Sequence, residues 1–79
     1  MNKQELKDRL LKEKVSRSLY YLDGGLPDEK LCLDFENGRW VVYFSERGVK
    51  TGMMNLMTEC EACKFIYYEI NAIVTGEVK

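Results

Sequence analysis

Lys30-Leu31-Cys32-Leu33-Asp34-Phe35-Glu36-Asn37-Gly38-Arg39-Trp40-Val41-Val42-Tyr43-Phe44-Ser45 is the stretch that decides the fold. At its centre Asn37-Gly38 separates two alternating runs, the strongest short-range signal for a β-hairpin. A two-residue type I′ turn needs φ > 0 at both central positions, which Asn and Gly tolerate best. Pairing outward from the turn sets Glu36 opposite Arg39, Phe35 opposite Trp40, Asp34 opposite Val41, Leu33 opposite Val42, Cys32 opposite Tyr43 and Leu31 opposite Phe44. One face is then apolar (Leu31, Leu33, Phe35, Trp40, Val42, Phe44) and the other mixed, with opposite charges meeting near the turn.

Working toward the N-terminus, Asp23-Gly24-Gly25-Leu26-Pro27-Asp28 carries strong turn chemistry and reads as a loop. Before it lies a short β-prone run over about 18–22, and before that a helix over 2–15. Asn2 caps this helix, with Glu5 at the reciprocal position. Its leucines spread over a wide arc, so it docks through few side chains. Toward the C-terminus, Glu46-Arg47-Gly48 ends the second hairpin strand, with Gly48 suited to the left-handed position of a three-residue turn. A fourth, irregular strand follows over 50–56, weakened by Gly52. Thr58 and Glu61 then form a capping box that opens a helix over 59–74. Cys63, Ile66, Tyr67, Ile70, Ile73 and Val74 share one side of it, with Ala62 and Phe65 at the margin. The expected fold is one α+β domain over 1–79: an antiparallel meander of three or four strands (about 18–22, 30–36, 39–45, 50–56), an N-terminal helix, and a C-terminal helix packed on the apolar face.

Composition bounds the function. Seventy-nine residues make one small core. No run approaches the ~20 apolar residues of a membrane span. No apolar leader opens the chain, and three cysteines without framework spacing suit a reducing, cytoplasmic setting. Residues 1–17 carry six basic and three acidic side chains, whereas residues 18–79 carry six basic and ten acidic. An acidic body repels phosphate and favours a basic protein partner. The order helix, three strands, helix is similar to double-stranded RNA-binding modules, but the C-terminal helix here carries Glu59, Glu61 and Glu69 against Lys64 alone. That charge argues against nucleic acid.

Candidate chemistry is sparse. Histidine is absent, which removes the commonest general base, and Asp34 and Glu36 sit where solvated charges belong. Cys60-x-x-Cys63 is half a zinc site, with Cys32 the only further thiol. As a redox pair it would place Cys60 in the first turn of a helix, but Glu59 and Glu61 oppose a thiolate there. Structural cysteines are the simpler reading, with no catalytic residues, metal or cofactor.

Three stretches together resemble small bacterial immunity proteins of polymorphic toxin systems. They are Tyr21-Leu22-Asp23-Gly24-Gly25, then Gly38 to Gly48 with its Gly-Arg-Trp strand and Ser-Glu-Arg-Gly turn, then Leu56-Met57-Thr58-Glu59-Cys60-Glu61-Ala62-Cys63. The resemblance implies a non-catalytic protein that binds a cognate toxin domain and blocks its active site. Alternatives are a general interaction domain without a toxin partner, or a weak nucleic-acid binder. If the toxin is a nuclease, a carboxylate surface can mimic the phosphates its groove binds. The expected contact residues are Asp23, Asp28, Glu29, Asp34, Glu36, Tyr43, Glu46 and Arg47, from the two loops and the mixed face.

Overall fold

A computed structural model describes residues 1–76 of the chain. Strand β1 (Tyr20–Tyr21), β2 (Lys30–Glu36), β3 (Arg39–Glu46) and β4 (Val49–Leu56) form one sheet in the order β1-β2-β3-β4, with helices α1 (Lys3–Lys12) and α2 (Glu59–Thr75) at its two ends in sequence. The α+β class and the element order are those expected from sequence. The β2–β3 register matches the turn-derived one at every pair from Glu36–Arg39 to Leu31–Phe44. Asn37 and Gly38 both have positive φ, at 53° and 74°, as a type I′ turn requires.

Local chemistry adjusts the boundaries. The Asn2 side chain accepts from the Glu5 N–H at 2.8 Å, and Glu5 accepts from the Asn2 N–H at 3.0 Å, completing the capping box. The helix stops at Lys12 rather than near residue 15, because Lys14 turns left-handed at φ 59°. The Val15 N–H then reaches Leu10 O and the Lys14 N–H reaches Leu11 O, a Schellman closure made without glycine. A 3₁₀ turn at Arg17–Leu19 takes up the first part of the expected strand over 18–22.

The sheet also departs from a pure antiparallel meander. β1 runs parallel to β2, with Tyr20 opposite Leu31 and Tyr21 opposite Cys32. Parallel neighbours need a return crossover. Residues 22–29 supply it, running back over the mixed face. At the other edge, β4 is regular except at a bulge, where Gly52 and Met53 span the single residue Tyr43. Gly52 supplies the positive φ, 59°, that such a bulge uses. Arg47 and Gly48 both take positive φ, 52° and 76°, so the β3–β4 connection is a two-residue turn and not the expected three-residue one.

Thr58 caps α2 by accepting from the Glu61 N–H at 3.1 Å, and Gly76 at φ 78° closes it. Ala62, Cys63, Ile66 and Ile70 are buried against Leu31, Leu33 and Val42 of the sheet. Leu6 and Leu10 of α1 join the same core, so both helices lie on the apolar face. Ile73 and Val74, expected on the buried stripe, are exposed, whereas Ala72 is buried. The helix also leaves part of its sheet face open. Phe35, beside the turn, is 54% exposed, and Trp40 is only half-buried.

Candidate functional site

The mixed face acquires a cover that the alternation pattern does not announce. Cys32, Val41 and Tyr43 form a second buried cluster there, on the opposite side of the sheet from the helices. Tyr43 is 1% exposed, and its hydroxyl donates to Gly25 O at 2.7 Å. It therefore anchors the crossover loop, and its ring is not available as the contact surface expected from sequence. Burial, with the Cys32 thiol next to it, pushes the Tyr43 phenol up to about 12. The Lys50 ammonium caps the ring at 4.6 Å from its centroid and reaches Glu36 at 3.1 Å.

Gly24 closes the other side of the loop. Its N–H donates to Leu33 O at 3.0 Å, prolonging the β1 side of the ladder. Its φ is 72°, and a Cβ there would stand 2.5 Å from Asp34 Cγ. Glycine is thus required twice over, by conformation and by space. Asp34 in turn accepts from the Phe35 N–H at 2.7 Å.

The remaining candidate contact residues fall into two groups. Asp23, Asp34 and Glu36 lie toward the Asn37-Gly38 end, and Asp28, Glu29, Glu46 and Arg47 lie at the β3–β4 turn. The seven residues of β2 separate them by roughly 20 Å. In the first group Asp23 is exposed and pairs with Lys3 at 3.0 Å, and that hydrogen bond holds its carboxyl below the usual range. Glu36 is tied to Lys50. In the second, Asp28 accepts from the Arg47 N–H at 3.0 Å, which holds Arg47 in its left-handed conformation. Glu29 and Glu46 are exposed and make no side-chain hydrogen bond or ion pair among the described residues. Strand alternation puts Glu46 on the face opposite Tyr43 and Ser45. The structure leaves these eight residues in two groups at opposite ends of β2, with Tyr43 buried between them and Glu46 on the other face, and not in one pocket.

The cysteines divide by face. Cys32 is buried beneath the crossover loop and Cys63 on the sheet-facing side of α2, with the sheet between them. Burial, then the neighbouring Glu59 charge, pushes the Cys63 thiol up to about 11, and burial raises Cys32 as well. Among the described residues no group of three or more His, Cys, Asp or Glu side chains is placed to hold a metal.

A further feature is an apolar row that the helices leave open at the hairpin tip. Phe35, Trp40 and Leu56 stand side by side across β2, β3 and β4 at the turn end, with the first two rings 4.9 Å apart. Met54 continues the row, and Met57, 89% exposed, follows it. The available signal is that the apolar alternation runs right up to Asn37-Gly38, while the cap at Thr58 starts α2 only two residues past Leu56. Searches for related proteins found no matching family model, curated protein or solved structure.

Proposed function

We propose that this chain is a non-catalytic protein-binding inhibitor, an immunity protein that neutralises a cognate bacterial toxin domain by covering its active site. The observation that carries the reading is the acidic rim held on a braced loop. Asp23, Asp28 and Glu29 project from a segment pinned by the Tyr43–Gly25, Gly24–Leu33 and Asp28–Arg47 hydrogen bonds. A surface ordered before binding loses less conformational freedom on association. Carboxylates at fixed positions steer a basic partner and suit the phosphate-binding groove of a nuclease. The sequence resemblance to immunity proteins points the same way, as does the lack of histidine.

Co-expression with the product of any adjacent gene that encodes a toxin-like domain tests the reading. The expected result is a stoichiometric complex that abolishes the toxin's activity in vitro and restores growth. Full toxin activity in the presence of excess folded chain would overturn it.

A further inference from the structure

Strand β1 forms one edge of the sheet, and beside it the side chains of α1 complete a cleft of about 310 Å³. Leu11, Tyr20, Tyr21 and Leu22 supply its apolar walls. Tyr20 and Leu22 are buried, whereas Leu11 and Tyr21 are 43% and 44% exposed. Lys7 and Arg17 line it too, and neither side chain makes an ion pair among the described residues. The carboxylate on the wall, Asp23, is taken by Lys3 at 3.0 Å. The cleft therefore presents two uncommitted cations beside a half-exposed aromatic ring.

A further polar group lies in the same wall. Tyr20 is 7% exposed, yet its hydroxyl, unlike those of Tyr43 and Tyr67, bonds to no group among the described residues. Among those residues only Ser45 Oγ is both sealed from solvent and unpartnered, so the Tyr20 hydroxyl keeps an opening. The cleft is the opening that Tyr20 lines. A largely buried donor without a protein partner is left for water or a ligand acceptor.

Charge and size select the ligand. Two free cations match the charge of a phosphate monoester, close to −2, better than that of a carboxylate. The Tyr21 ring and the leucines favour an aromatic or apolar body beside that phosphate. A volume of about 310 Å³ is at the small end for ligand sites, enough for one ring and its phosphate. A polyanion would run on over residues 18–79, which carry six basic and ten acidic side chains and repel it.

We propose that the cleft between α1 and β1 binds a small ring-bearing phosphate monoester of the nucleoside monophosphate type. Lys7 and Arg17 hold the phosphate, Leu11 and Tyr21 hold the ring, and the Tyr20 hydroxyl donates to the bound molecule. This goes beyond the proposed function and does not depend on it, since a chain that fails to neutralise any toxin can still bind the nucleotide.

Titration of the full ¹⁵N-labelled chain with adenosine 5′-monophosphate at low ionic strength, followed by NMR, tests it. The expected result is saturation with a Kd on the order of 0.1–1 mM. Shifts should concentrate at the amides of Lys7, Leu11, Arg17 and Tyr20 to Asp23. Adenosine and inorganic phosphate, each lacking one half of the ligand, should bind about tenfold more weakly. The Lys7→Gln, Arg17→Gln double variant changes two exposed side chains, should keep its melting curve, and should lose about tenfold in affinity. Tyr20→Phe should lose about fivefold. No saturation by ~10 mM overturns the proposal. So does an undiminished affinity in the folded double variant, or adenosine binding as tightly as its monophosphate. Octadeoxyadenylate binding more than about tenfold tighter than the mononucleotide would overturn it in favour of single-stranded nucleic acid.

Discussion

A Cβ at residue 24 would overlap the Asp34 carboxyl, so the crossover loop closes over Asp34 because Gly24 lacks a side chain. Gly24→Ala should therefore cost on the order of 2–4 kcal/mol, the sum of a steric clash and a left-handed alanine. In Gly24→Ala combined with Asp34→Ala the clash is gone and only the conformational cost, about 1 kcal/mol, remains. Chemical denaturation of both variants checks this. Equal losses would show that Asp34 does not press on the loop. Tyr43 gives a second test at this scale. A phenol held neutral by burial stabilises the fold fully below its ordinary 10, and that contribution is lost as pH rises through about 12. Its size is on the order of 2 kcal/mol. Spectrophotometric titration should show a tyrosinate step near 12 that is missing from Tyr43→Phe. Stability should also fall less steeply above pH 10 in that variant, although the Cys63 thiol adds a slope of the same sign. Alternation alone put Tyr43 on the mixed face. What it could not supply was the Gly25 carbonyl, which comes from a loop with no periodic pattern.

Among the elements, those with a chemical punctuation mark were legible and the others were not. Asn37-Gly38 fixed every pair of the β2–β3 ladder, and Asn2 with Glu5 fixed the start of α1. The end of α1 falls short of where its pattern puts it because Lys14 holds a position where glycine is usual. Lys14→Gly should raise stability by about 0.5–1 kcal/mol, since the left-handed penalty exceeds glycine's extra unfolded-state entropy. A thermal melt with an unchanged or lower midpoint would contradict this. The parallel pairing of β1 was hidden for a different reason. Two residues of strand carry no directional signal, and the loop that reverses the chain reads the same for a hairpin or a crossover. On α2 the helical period was right, but Ile73 and Val74 lie in its exposed last turns, and periodicity cannot show where a helix overruns its partner.

For the molecule as a whole, the sheet separates two surfaces of opposite character. On one side the helices cover the main core and leave an apolar row open at the hairpin tip. On the other a short loop covers a small core and carries most of the acidic rim, which Glu46 meets at the β3–β4 turn from the opposite face. The carboxylates of that rim could be picked out from sequence as loop and strand charges. Their pairing with Lys3 and Lys50 could not, because those lysines come from distant segments that only the tertiary fold brings near.

Two of the carboxylates, Glu29 and Glu46, are exposed and carry no partner among the described residues, so reversing them tests electrostatics without undoing the fold. The most direct measurement is the association rate of the Glu29→Lys, Glu46→Lys double variant with the toxin domain that the wild-type chain is found to neutralise, by stopped flow, at low and at high ionic strength. Steering by the acidic rim predicts association about tenfold slower than wild type at low salt, with the difference shrinking as salt screens the charges. An unchanged rate at low salt, with the variant still folded, would contradict the acidic rim as the surface that meets the partner.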